Sequence, residues 1–419
     1  MVDLPFSTHF PSFSDEFPRD FGLALPSNNP YEVRVFTFLF MFFEVLSFLS
    51  LLLTTWQWIG SRSFRLHKRI STDPKFTPGV SILKPLKGAD EHTHACLKSW
   101  FTQAYPGKIQ ILLGVASLDD PACEVVRQLI REFPSMDAQL VHCKESLGVN
   151  AKVSSLIQLN RVAEHRFIVV SDADVLAAPD FLSQALIPLQ HKDAGLVNCF
   201  YRLANPSTPA MYWEAVAINA DFWSQVLQGK SLAPIDFALG AVMLTRSEYL
   251  KSIGGFEALA DYLADDFQLG NRIAHIARKQ IALCPVVVDC VSHPMNWCEV
   301  WVHQLRWART IRVCRPLPFA FSILSNATLW PFLWFVFFPT ALSGVALGAS
   351  VIYRMFTAQL LQIRLGRVPG QWKYFWMPPI KDLLGFGIWA LALFGNTIVW
   401  RGQHYLLQKD GKLVPDPRH

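Results

Sequence analysis

Between Val35 and Trp58 the chain carries a single charge, Glu44, in an otherwise apolar run. At about 1.5 Å per residue, a helix of that length crosses a hydrocarbon core of about 30 Å. The run is too long for a signal-peptide core, and an acidic, proline-bearing segment precedes it. It therefore reads as a retained anchor over 35–58, with 1–34 irregular or interfacial. Arg62, Arg65, Lys68 and Arg69 follow at once, which puts the C-terminal end of the anchor in the cytoplasm. Composition agrees: 51% of the residues are hydrophobic and 17% charged, below the roughly 25% charge of ordinary soluble domains. The net charge of +5 suits anionic head groups or phosphates. No nucleic-acid partner is expected, because the basic residues form no long stripe.

The C-terminal third, 317–400, is apolar again. Leu317 to Tyr353 is too long for one span, and Pro339 lies inside it. Two spans joined by a tight turn fit, about 319–337 and 340–360, with a shorter one over 383–400. Basic residues flank the pair: Arg309, Arg312 and Arg315 before it, and Arg354, Arg364, Arg367, Lys373 and Lys381 after it. Both flanks are thus expected in the cytoplasm. The polar tail, 401–419, is also basic, which leaves the last segment open to being re-entrant.

The module between these regions, 76–312, alternates short β-rich runs with helical patterns. "GVSILKPL" (79–86), "IQILLGVA" (109–116), "QLVHC" (139–143) and "FIVVSDADV" (167–175) read as strands. "ACEVVRQLIREF" (122–133) and "VSSLIQLNRVAE" (153–164) read as helices. Apolar strands alternating with helices predict an α/β fold with a mostly parallel sheet covered on both faces. Such sheets bind ligands beyond the carboxyl ends of their strands. Asp119 and Asp120 follow the second strand, and Asp172 and Asp174 the fourth. No Gly-x-Gly-x-x-Gly or Walker loop is present. The eight cysteines contain no Cys-x-x-Cys, and Cys290, His293 and Cys298 match no common zinc spacing.

Each acidic pattern alone has an ordinary explanation. Asp-x-Asp occurs in turns. Asp265 and Asp266, in "GGFEALADYLADDFQLGNRI" (254–273), suit a helix N-terminus, where the dipole favours acids. Arg306 and Trp307, in "VHQLRWARTIR" (302–312), suit a membrane interface. At a buried strand end, however, a carboxylate pair can also hold a divalent cation that binds phosphate oxygens.

The succession Asp119-Asp120, Asp172-x-Asp174, Asp265-Asp266 and Arg306-Trp307 resembles the membrane-bound inverting glycosyltransferases of GT-A fold. "SILKPLKG" (81–88), "DDPA" (119–122), "GVNAKVSSL" (148–156) and "GGFEALADYLADDF" look like the ceramide glucosyltransferase family over roughly 35–400. Related bacterial enzymes that glycosylate hopanoid lipids, with UDP-N-acetylglucosamine as donor, share these motifs. The family's last motif begins with Gln or Arg, where this chain has His303.

The resemblance implies transfer of glucose from UDP-glucose to a lipid hydroxyl, ceramide first, by a module facing the cytoplasm. Asp172 and Asp174 would hold Mg²⁺ or Mn²⁺. Asp120, with Asp119 beside it, would meet the uridine, and Lys84, Lys152 and Arg306 would lie at the donor. Asp266 would be the general base and Asp265 its support. His303, Trp307 and Trp223 would face the acceptor, with Trp213 and Phe222 near its entrance. Two other readings are a processive polysaccharide synthase, against which His303 and the few spans count, and an inactive lipid-binding scaffold, which would be expected to lose acids from the set.

Overall fold

The computed structural model describes residues 29–71, 75–367, 371–400 and 403–416; most of the segment expected to be irregular lies outside them. The anchor helix starts earlier than expected, at Pro30, and runs to Ser63. Asn29 caps it by accepting from the Tyr31 N–H at 3.0 Å, and a proline at the first helical position loses no helix bond.

Eight strands form the central sheet. They are β1 (Val80–Leu86), β2 (Ile109–Val115), β3 (Asp137–His142) and β4 (Phe167–Ser171). The others are β5 (Val175–Leu176), β6 (Ala194–Leu203), β7 (Val242–Arg246) and β8 (Gln280–Cys290). Their order is β3-β2-β1-β4-β7-β6-β8-β5. The β3-β2-β1-β4 half is parallel, as is the β6–β8 pair. Strand β7 runs against both β4 and β6, and β5 against β8. The expected mostly parallel α/β architecture is present, and the carboxyl ends of β1, β2, β4, β6 and β8 share one edge. Neighbours such as Ile82 and Leu83 enter separate apolar cores, as the two-residue strand period requires for a sheet covered on both faces.

Among the described residues, two helices are long and apolar enough to cross a membrane, Pro30–Ser63 and Ala341–Gly366. The expected span over 319–337 is a pair of helices, Pro316–Ser325 and Leu329–Phe337, bent by 60° at the break between them. They pack on the anchor through aromatic pairs such as Phe43–Phe337, 5.4 Å between ring centres. The expected span over 383–400 is a helix only as far as Leu393, starting at Met377. Gly395, at φ +77°, turns the chain into a small antiparallel sheet. Its strands are β9 (Thr397–Trp400), β10 (Gln403–Leu407) and β11 (Leu413–Pro415). Within the expected polar tail, residues 403–415 are thus folded. They dock on the central module: the Leu413 N–H donates to Asp261 O at 2.7 Å and the Leu263 N–H to Gly411 O at 2.9 Å.

A buried ionic cluster joins the apolar helices to the module. Arg354 donates to Asp382 on the Met377–Leu393 helix and to both oxygens of Asp221, each at 2.8 Å. Asp221 lies in the π-helical turn Ala217–Phe222, which also receives Lys381. Arg354, Asp221 and Asp382 are each under 10% exposed. Arg354→Leu would strand two carboxylates around one lysine. It is expected to cost about 3–5 kcal/mol, the usual penalty for breaking a buried pair, read as a lower thermal unfolding midpoint of the purified protein in detergent.

Candidate active site

Strand β4 ends at Ser171, and Asp172 and Asp174 stand on the edge just beyond it. Lys84, expected at the donor, is instead wholly buried beneath them. Its Nζ donates to Ser171 Oγ at 2.9 Å and Asp172 O at 2.7 Å and lies 4.8 Å from the Trp100 ring centre. Burial brings its pKa down to about 8. A lysine inside β1 cannot reach out of the sheet, so it fixes the backbone from which the two acids project.

Lys152 occupies the first turn of the helix Ala151–Arg161, whose cap, Asn150, accepts from the Lys152 N–H at 2.9 Å. Asn150 also donates to Tyr262 O at 2.7 Å, tying this turn to the segment that carries the second acidic pair. Lys152 Nζ then lies 2.7 Å from Asp172 Oδ1 and 3.4 Å from Asp265 Oδ2. Burial works against its ammonium, but Asp172 and Asp265 outweigh burial and its pKa is raised.

Asp265 and Asp266 open the helix Asp265–His275. Asp265 is buried, and its carboxyl is raised by burial despite Lys152. Asp266 Oδ1 accepts from the Phe267 N–H at 2.7 Å. Burial first, and the Asp265 charge second, push Asp266 up to about 7. Its Oδ2 lies 3.0 Å from where a side chain on Gly240 would begin, so a larger residue at that loop position would press on the carboxylate. The loop is brought there because β7 is antiparallel to β4, and the Asp172 N–H donates to Ala241 O at 3.0 Å. Asp174 is exposed on the edge; crowding by the surrounding protein first, and the Asp172 charge second, raise its carboxyl.

On the same edge, Asp120 accepts the Gly88 N–H on both oxygens, at 2.9 and 3.0 Å, and the Ala122 N–H at 2.9 Å. It holds the loop leaving β1 against the start of the next helix, with Asp119 exposed beside it. His303, Arg306 and Trp307 share the helix Trp297–Cys314. Trp307 packs edge-on to Tyr201, 6.4 Å between ring centres, and lies 4.9 Å from the His303 ring. Trp223, expected at the acceptor, is wholly buried against Phe200 and belongs to the core.

Two residues escaped the sequence reading. Glu214 is 1% exposed and accepts from Gln304 Nε2 at 2.8 Å while pairing with His303 Nδ1 at 2.6 Å. That pairing directs the other imidazole nitrogen, Nε2, away from Glu214. Tyr201, on β6, stands between the acids and Trp307: burial raises its hydroxyl, aided by the charges of Cys290, Asp266, Asp172 and Glu214. Nothing in "NCFYRL" separates that tyrosine from an ordinary strand residue. Glu214 follows Trp213 in a helix that reads as apolar.

Acids at the strand ends of an α/β sheet, in a chain with long apolar helices, mark one edge of the sheet as the candidate site of a membrane-associated enzyme. The profile of Glycosyl transferase family 21 matches residues 40–413, and the chain belongs to that family. The resemblance read from the motifs therefore holds at the level of the family, and the central module has the mostly parallel α/β sheet expected of it. Ceramide glucosyltransferase 3 of Caenorhabditis elegans is 26% identical over 84% of this chain and 77% of its own length. Ceramide glucosyltransferase of Candida albicans is 32% identical over 28% of this chain and 24% of its own length. Among solved structures, the mannosyltransferase PcManGT of Pyrobaculum calidifontis, in complex with GDP-Man and Mn2+, covers 83% of this chain and 98% of its own. It does so at 20% identity and a TM-score of 0.48, a likeness too distant to carry weight beside the sheet itself.

The raised Asp266 carboxyl has a consequence for stability. An unfolded aspartate ionises near ~3.9, so folding holds a proton that the unfolded chain releases between about 4 and 7. Stability contributed at this site therefore falls as pH rises through that window. Asp266→Asn is expected to raise the unfolding midpoint at pH 8 relative to the parent protein. The difference should close as pH falls toward about 4, followed by scanning calorimetry or fluorescence.

Proposed function

We propose that this enzyme transfers glucose from UDP-glucose to the primary hydroxyl of ceramide, with inversion, to give a β-glucosyl lipid. The observation that carries the reading is Asp266: a carboxylate raised to about 7, on the sheet edge that also presents Asp172 and Asp174, in a chain with membrane helices on both sides of the module. The ceramide glucosyltransferase relatives support the donor and the acceptor. The basic flanks of the apolar segments support a module facing the cytoplasm.

Asp172 and Asp174 suit a hard divalent cation, Mg²⁺ or Mn²⁺, because both donors are carboxylate oxygens. No third His, Cys, Asp or Glu joins them among the described residues. That count fits a cation that completes its shell with substrate phosphates and water. When bound, the cation neutralises charge on the departing diphosphate.

The chain's own groups do the rest. Lys152 holds Asp172 and Asp265 in place. Arg306 offers a planar fork to diphosphate oxygens, and Asp120 and Asp119 border the uridine. Tyr201 and Trp307 flank the sugar or the acceptor head. Asp266 takes the proton from the attacking hydroxyl at its carboxylate oxygen. Near neutrality a base of pKa about 7 balances the fraction ionised against proton affinity. Attack opposite the leaving diphosphate inverts the anomeric carbon. Incubation of purified protein with labelled UDP-sugars and host lipids, followed by mass spectrometry, tests the whole reading. A labelled hopanoid, or transfer from UDP-N-acetylglucosamine alone, would replace it.

Asp266→Asn keeps the shape and removes the basicity. It should lower kcat by roughly 10²–10⁴ while leaving UDP-sugar affinity unchanged. In the parent enzyme kcat/KM should rise with pH through about 7, and Asp265→Asn should be milder. Near-normal rates in both variants would end the general-base assignment.

Chelation with EDTA should abolish turnover, and Mg²⁺ or Mn²⁺ should restore it. Asp174→Ala should lose cation-dependent UDP binding, measured calorimetrically, while keeping its circular dichroism spectrum. Full activity in EDTA would remove the cation from the mechanism.

A further inference from the structure

The helix that presents His303 and Trp307 has a second role open to it. Trp297, Cys298 and Trp301 of that helix form one wall of a cavity of about 590 Å³. Trp213 forms another, and Ile380 and Leu384 of the Met377–Leu393 helix a third. The size falls within the ordinary range for small-molecule sites, about 300–1,000 Å³. Its two sequence neighbours matter most. Trp213 adjoins Glu214, and Trp301 lies two residues before His303, so the cavity and the Glu214–His303 pair are built on the same two helices. At the mouth, Trp297 is 48% and Ile380 45% exposed.

We propose that this cavity receives one alkyl chain of the lipid acceptor, with the lipid's polar junction lying at the Glu214–His303 pair and its hydroxyl directed to Asp266. The proposal rests on the reading of the acceptor as a membrane lipid. Three observations select that occupant. The walls are apolar and aromatic, so a sugar or nucleotide would leave its polar groups unpaired there. A peptide segment would face the same penalty at its backbone N–H and C=O groups. One wall belongs to an apolar helix of the C-terminal region, and the other two to the helices that carry Glu214 and His303, so an apolar chain in the cavity lies between the apolar helix and the elements of the polar pair.

Cys298 supplies a probe, since it lines the cavity and is the exposed cysteine of the described residues. Full-length protein in phosphatidylcholine nanodiscs would be treated with a maleimide, and the rate of Cys298 modification followed by peptide mass spectrometry. Cys298→Ser identifies the labelled peptide. Long-chain ceramide is expected to slow labelling, whereas UDP-glucose and a ceramide analogue with truncated chains leave it unchanged. Ile380→Trp and Leu384→Trp each fill the cavity from a different helical position. Either should cancel the protection and raise KM for the long-chain acceptor by at least about tenfold, the equivalent of roughly two methylenes of lost burial. KM for the truncated analogue and UDP affinity should not change.

Equal protection by both acceptors, no protection by either, or equal KM changes for both would overturn the proposal. So would labelling already blocked in phosphatidylcholine and indifferent to ceramide, which would assign the cavity to bulk bilayer lipid. The labelling readout needs no sugar transfer. A protein protected by long-chain ceramide yet inert toward UDP-glucose would refute the glucosyl transfer and leave the cavity's occupant standing.

Discussion

The site depends on one cation. Lys152 stands between Asp172, at the end of β4, and Asp265, at the head of a helix almost a hundred residues later. Four carboxylates converge there, and without a positive charge among them their mutual repulsion and burial would drive protons onto most of them. Lys152 makes ion pairs with Asp172 and Asp265 and none with Asp174 or Asp266, while Asp265, Asp174 and Asp266 are all raised. The division is useful chemically. In the proposed mechanism Asp172, steadied by Lys152, joins Asp174 in offering carboxylate oxygens to a divalent cation, Asp265 stays with Lys152, and Asp266 keeps the basicity to accept a proton.

The surrounding fold serves to hold that arrangement still. Asn150 ties the Lys152 turn to Tyr262, and the C-terminal sheet braces the same 261–263 segment from the other side. Gly240 gives Asp266 its room, and the reversal of β7 against β4 brings Gly240 into place. The small C-terminal sheet, by folding onto the module, supports the segment that leads into the Asp265–Asp266 helix end. The Arg354 cluster performs a matching task at the membrane side, where ionic partners from three elements set how the apolar helices meet the module.

Much of this was open to reading from residue order. Short apolar, β-rich runs marked β1 to β4, and the run after Val35 was long enough to span a membrane. The position of Asp172 and Asp174 past a buried strand marked the edge proposed for the chemistry, because an apolar run and the acids that follow it are local properties. The bent pair at 316–337 and the turn at Gly395 were not legible, since composition specifies an apolar length but not where a helix breaks.

What the sequence determined by itself was the class: an anchored α/β module whose acids lie at strand ends and whose motifs follow the order of a known family. Only the tertiary structure decided which side chains face the site. Lys84 and Lys152 look alike in sequence, yet one is sealed inside β1 and the other spans two acidic motifs. Trp223 and Trp307 are both aromatic residues near motifs, but Trp223 packs on Phe200 in the core and Trp307 on Tyr201 at the edge. Glu214 became significant only when a helix some ninety residues later set His303 against it. In each case the deciding partner comes from a distant element, and the direction of a side chain is fixed by that packing, not by its neighbours along the chain.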